Sequence, residues 1–157
     1  MKKNKIDGNF FEDFKVGQEF FHSSSKTIFE SDNNFFSLIT MNHHPVHINL
    51  DYSKKNHHGE ILVVGTLVFS LVVGMSVSDI SKNAIANLSY DNIKHIAPVF
   101  INDTIYAKSK IIKKKISKGK NQGYIYVQTL AFNQNNKKVL SFKRTVLIKK
   151  KNYKINK

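Results

Sequence analysis

Asn42-His43-His44-Pro45-Val46-His47 is the segment of this chain richest in groups that can do chemistry. It sets imidazoles, whose ordinary pKa lies near neutrality, in a turn stiffened by Pro45, which fixes its own φ and pushes His44 to extended backbone. A side chain held in such a turn can be aimed as a proton acceptor or donor. Further along, Gly65 stands near the start of an uncharged apolar stretch, Leu62 to Val77, that reads as a helix. A helix opening on glycine presents backbone N–H groups with no intrahelical partner, and a ligand oxygen can approach them closely. The two segments together offer a base and oxyanion donors.

The elements that must position these groups follow from the apolar pattern. Asp13 to His22 holds a short strand with a turn at Val16-Gly17-Gln18-Glu19, and Lys26 to Phe29 is a second extended piece. A helix is predicted over about Ser31 to Thr40, with Phe35, Phe36, Leu38 and Ile39 as its apolar side, and the histidine turn follows at once. Asp51 to Asn56 reads as a short polar helix or turn, His57-His58-Gly59 as a loop, and Leu62 to Ile80 as a helix buried on all sides. From Ala84 onward the sequence alternates and is rich in β-branched and aromatic residues: Ala84 to Tyr90, Asn92 to Ile96, Thr104 to Ile116, Gly123 to Asn133 and Lys138 to Lys149. Turn residues at Ser117 to Gln122 and Asn133 to Asn136 predict antiparallel meander connections. The expected architecture is α+β, a strongly curved antiparallel sheet wrapped around one long central helix. The 157 residues suit a single domain, with a core of about 10–149 and a frayed basic tail over 150–157.

Composition excludes several classes. There is no cysteine, hence no disulfide framework, zinc-thiolate site or cysteine nucleophile. Met1-Lys2-Lys3-Asn4-Lys5 runs into Asp7, Glu12 and Asp13 instead of an apolar segment, so no signal peptide is expected and the cytoplasm is the default location. The formal net charge of +14 invites a polyanionic partner, but the lysines are dispersed and Arg144 is the single arginine. Arginine is favoured for bidentate phosphate and base contacts, so nucleic acid is not an expected partner. Ile61 to Ser78 carries no charge, yet Gly65, Thr66, Ser70, Gly74, Ser76 and Ser78 dilute it and no aromatic belt flanks it, so a membrane span is not expected either. His43, His44 and His47, with His57 and His58 nearby, invite a metal site; no carboxylate lies in the turn and adjacent histidines point apart, so no metal is expected.

Four segments then carry a resemblance, in order and spacing: Phe11-Glu12-Asp13-Phe14-Lys15-Val16-Gly17, Asn42 to His47, Val64-Gly65-Thr66-Leu67, and Ala97-Pro98-Val99-Phe100-Ile101-Asn102-Asp103-Thr104. Over roughly Phe10 to Lys149 the chain resembles the MaoC-like, R-specific enoyl-CoA hydratases and dehydratases, which have the hot-dog fold. Their catalytic turn is usually Asp-x-Asn-Pro-x-His and their last segment Pro-Val-x-x-Gly-Asp-Thr. Pro45 and His47 match, whereas the family aspartate falls on Asn42 and its asparagine on His44. Asparagine at the first position with a His-Pro-x-His ending resembles the branch containing mesaconyl-CoA hydratase and methylmalyl-CoA dehydratase. The resemblance implies an acyl substrate carried as a coenzyme A thioester, no further cofactor, and a homodimer or higher assembly with sheets joined edge to edge.

Hydrating an α,β-unsaturated thioester requires a base to activate water for attack at Cβ, an acid to protonate Cα, and donors for the enolate oxygen formed between these events. His47 suits both proton tasks. Asn42 cannot titrate, so it is expected to orient the water or the His47 ring, and the mechanism uses one base. The Gly65 N–H, with that of Thr66 as second donor, is the candidate oxyanion hole. A glycine there would serve equally to let helix and sheet approach; the resemblance favours the catalytic role. His44 is expected to orient the turn or contact substrate, and Lys94 to contact coenzyme A. Ser70 is expected to bond to its own helix, and His43, His57 and His58 to be solvated loop residues. The expected function is a hydro-lyase acting on acyl-CoA. The alternatives are an acyl-CoA thioesterase, which on this fold carries a carboxylate on or near the central helix where Leu62 to Ser78 has none, and a non-catalytic acyl-CoA binding module, in keeping with Asn42.

Overall fold

A computed structural model describes residues 8–118 and 121–153, so the expectations for Met1 to Lys5, for Gly119 and Lys120, and for the end of the tail lie outside the described residues. The alternating segments form strands: β1 (Glu19–Phe21), β2 (Lys26–Thr27), β3 (Ala84–His95), β4 (Thr104–Ile116), β5 (Gln122–Phe132) and β6 (Lys138–Lys149). They build one antiparallel sheet in the order β1-β4-β5-β6-β3, with β2 also paired to β4. β4, β5 and β6 are the predicted meander, while β3 lies beyond β6 and forms an edge. The two segments predicted at Ala84 to Tyr90 and Asn92 to Ile96 are a single strand, bent where Asn92 takes φ 52° and the pairing register shifts between Asp91 and Lys94.

The helix α4 (Gly65–Met75) lays Val68, Val72 and Met75 against Ile105, Ala107, Leu140 and Phe142 of the sheet. It is shorter than predicted, because Leu62 and Val63 are drawn into pairing with Phe100 and Val99, and a π-helical turn, Val77–Ser81, takes over at the far end. Nor is it buried on all sides. Thr66, Ser70 and Gly74 are exposed, since the sheet covers one face and no other described element covers the opposite one.

A second apolar cluster gathers Phe11, Phe14 and Ile80 on Ile111, Ile125 and Val146. Between the two clusters the strand register sets Ser109 opposite Thr129 and Val127 opposite Arg144, so a polar belt crosses the core. Asp79 Oδ2, His22 Nδ1 (2.7 Å), His22 Nε2, Ser109 Oγ (2.8 Å) and Thr129 Oγ1 (2.8 Å) form a continuous chain. Arg144 Nη2 donates to Ser76 Oγ (2.7 Å) at the end of α4, where a cation suits the helix dipole, although burial pushes the guanidinium below its ordinary pKa and the neighbouring Tyr90 partly offsets this. The first part of the tail is not frayed: Lys150 N–H donates to Asn121 O (3.0 Å) and the Lys151 ammonium meets Asp13 (2.9 Å).

Candidate active site

The site is assembled by backbone bonds around a buried amide. The helix α1 (Glu30–Ile39) starts where Asp32 accepts the Phe29 N–H (2.9 Å) and pairs with the Lys26 ammonium (2.6 Å). The Lys26 bond, and then the Phe29 bond, hold the Asp32 carboxyl below its ordinary pKa. The predicted apolar side is turned largely outward: Asn33 and Ser37 are fully buried, Phe36 is half-buried, and Phe35, Leu38 and Ile39 face out. The cause is Asn33, whose Nδ2 donates to His47 O (2.8 Å) and whose Oδ1 accepts the Val64 N–H (2.9 Å). One amide thus fixes the histidine turn against the entry to α4.

The turn itself is the short helix α2 (Pro45–Ile48), with Pro45 at its first position and His44 as its cap, Nδ1 accepting the Val46 N–H (3.2 Å). A second short helix, α3 (Leu50–Lys54), follows, and its Ser53 hydroxyl donates to Val46 O (3.0 Å). His47 Nδ1 lies 2.7 Å from Leu62 O. A carbonyl only accepts, so Nδ1 carries a proton, and Nε2 is the nitrogen left to exchange one with a ligand. Leu62 N–H returns a bond to Val46 O (3.1 Å), and Val63 N–H bonds to Val99 O (2.9 Å), so the chain entering Gly65 is pinned on both sides.

A cavity of about 310 Å³ opens at this junction, lined by His47, His58, Gly65 and His95 together with apolar residues such as Val68 and Val139. No carboxylate is among its lining residues. The N–H groups of Gly65 and Thr66 have no acceptor among the described residues, and Val64 offers no side-chain cap, so the N-terminus of α4 is open to the cavity. The His95 ring lies against Gly65: a Cβ there would stand 2.9 Å from Cε1 and 3.0 Å from Nε2. Glycine is needed at this position for the ring to sit where it does.

Of the predicted site residues, His47 and Gly65 line the cavity. Asn42 is half-buried beside α1, its N–H bonded to Ser37 O (3.0 Å), and is not a lining residue. His44 serves as the α2 cap, Thr66 is exposed on the first turn of α4, Ser70 is exposed further along, and Lys94 is exposed off the cavity. Its neighbour His95 takes the lining position. His58, expected to be solvated, also lines the cavity and packs edge-on against Phe100 at 5.8 Å. Asn33 and His95 were not singled out by sequence; His58, named there as a solvated loop residue, is exposed as well as lining the cavity. The sequence of partners Ser109, His22 and Asp79 has the order of a hydrolytic triad, but Ser109 is 1% exposed, bonded to Thr129 and remote from the cavity lining, so it is a core contact and not a nucleophile.

Comparison with known proteins places residues 13–131 in correspondence with the family described as "MaoC like domain". The chain is 33% identical over 144 residues to beta-methylmalyl-CoA dehydratase of Chloroflexus aurantiacus, covering 92% of this chain and 41% of that protein. It is 31% identical over 151 residues to mesaconyl-CoA hydratase of Cereibacter sphaeroides, covering 96% of this chain and 43% of that protein. The chain therefore spans less than half the length of these two curated relatives. Among solved structures, the double hot-dog protein RV0216 of Mycobacterium tuberculosis superposes with a TM-score of 0.86 at 18% identity, covering 97% of this chain and 48% of that one.

Proposed function

The chain belongs to the MaoC-like domain family and has the hot-dog fold, and from this premise we propose that it adds water to, or removes it from, the α,β double bond of an acyl-CoA thioester. The observation that carries this reading is the shared cavity of His47, whose Nδ1 is committed to Leu62 O, and the open N-terminus of α4 at Gly65. In the hydration direction His47 Nε2 takes a proton from water as the water oxygen bonds to Cβ, and the π electrons move onto the thioester oxygen. The Gly65 and Thr66 N–H groups stabilise that oxyanion, an interaction whose loss typically costs on the order of 100- to 1,000-fold in rate. The His47 imidazolium then returns the proton to Cα, so one water is added and the base is regenerated. Asn42, unable to titrate and off the cavity lining, takes no direct part, His44 keeps the turn in place, and Lys94 meets the phosphates of coenzyme A.

The names of the two curated relatives make mesaconyl-CoA and β-methylmalyl-CoA the first substrates to try. A second copy of the chain completes the assembly, covering the exposed face of α4 and pairing at the free edge of β3.

The test is an assay of mesaconyl-CoA and a simple enoyl-CoA that follows loss of the enoyl absorbance and release of free thiol together. Hydration without thiol release is expected, and His47→Ala should lower it by about 100- to 10,000-fold with an unchanged circular dichroism spectrum. Thiol release as the main event would favour the thioesterase, and binding without turnover the non-catalytic module; either would overturn the hydratase reading.

A further inference from the structure

We propose that His95 is a second catalytic imidazole, donating a hydrogen bond from its ring to the thioester oxygen beside the Gly65 N–H; this rests on the hydratase reading of the cavity. The ring lies directly against Gly65, with Cε1 and Nε2 nearest to it, at the mouth of the cavity. Its ring nitrogens have no hydrogen-bond partner among the described residues, so both are available to a ligand. The backbone holds it there: His95 pairs with Leu140, and the next residue, Ile96, donates its N–H to Val139 O (2.8 Å). The bend at Asn92 sets the phase of the strand end so that His95, and not Lys94, reaches the cavity.

The chemistry leaves room for such a group. Asn42 removes the titrating carboxylate that the resemblance expects, and no acid lines the cavity to replace it. The titratable groups facing His95 are His47 on α2 and His58 in the loop after α3; α4 presents none, and β6 presents Leu140 and Val139. On its own strand the nearest charge is Lys94. His58 is turned onto His57 and Phe100, which leaves His95 as the imidazole against the helix terminus.

The two imidazoles divide the work: His47 moves the proton between water and Cα, while His95 only donates a hydrogen bond to the thioester oxygen. His95 exchanges no atoms with the substrate; it holds charge on oxygen until His47 protonates Cα.

The experiment measures kcat and KM separately for the wild-type chain, His95→Gln, His95→Phe and His47→Ala. His95→Gln, which keeps a neutral donor, should lose about 10- to 100-fold in kcat. His95→Phe, which keeps no donor, should lose about 100- to 1,000-fold, both variants keeping a KM near that of the wild type. If the wild type hydrates and His47→Ala does not, while both His95 variants keep the full rate, the hydratase reading stands and the role of His95 is overturned. If the wild-type chain hydrates no enoyl-CoA, both are overturned.

Discussion

Asn33 carries more of the site's geometry than any residue that touches the cavity. Its amide is wholly buried, and its two bonds, to His47 O and from Val64 N–H, join the base-bearing turn to the residue before Gly65. Asn33→Ala leaves a buried donor and a carbonyl unpaired, each costing about 1–3 kcal/mol. The expected result is a loss of about 2–6 kcal/mol in chemical denaturation, together with a fall in kcat that exceeds any change in KM. Stability and kcat both equal to the wild type would remove Asn33 from this role. That His47 and Gly65 would come together was legible because Pro45 stiffens the turn before His47 and the resemblance set Gly65 at the helix start; both line the cavity. Asn33 was not, because nothing local distinguishes a buried asparagine in a helix from a solvated one. His95 was hidden for another reason: the register shift between Asp91 and Lys94 breaks the alternation that would have told which neighbour faces the cavity.

At the scale of elements, the locations of helices and strands were legible, and their faces and ends less so. The apolar residues Phe35, Phe36, Leu38 and Ile39 suggested the inward side of α1, but with Asn33 held inside only Phe36 stays partly buried and the other three face out. The end of α4 was overextended because Leu62 to Val64 are as apolar as the helix, and only their pairing with Val99 and Phe100 reveals an extended entry. Asn102 stands where the resemblance expects glycine and adopts φ 71°, a conformation asparagine tolerates, so that loop survives the substitution. The start of α1 depends on Asp32, whose folded pKa is depressed by Lys26 and then by the Phe29 N–H. A depressed carboxylate stabilises the fold above its unfolded pKa, about 4, and the contribution is lost as pH falls through the lower folded value. Thermal melting should therefore place Asp32→Asn below the wild type at neutral pH, with the two curves converging as the pH falls below about 4. A gap that does not narrow as the pH falls below about 4 would contradict this.

For the molecule as a whole, the sheet holds two apolar clusters separated by the belt from Asp79 through His22 to Thr129, with Arg144 beside it. The cavity lies at the opposite end of α4 from that belt, so the hydrolytic order of side chains in the core and the proposed chemistry at Gly65 are spatially separate. The exposed face of α4 and the free edge of β3 are the surfaces that a second hot-dog unit covers in the proposed assembly. No helix among the described residues is long and apolar enough to cross a membrane. The most direct measurement is a crystal structure of the chain with a saturated, unreactive acyl-CoA thioester. The thioester oxygen is expected within about 2.7–3.1 Å of the Gly65 nitrogen, with Cβ facing His47 Nε2. A thioester seated away from Gly65, or one whose Cβ is turned away from His47, would contradict the account.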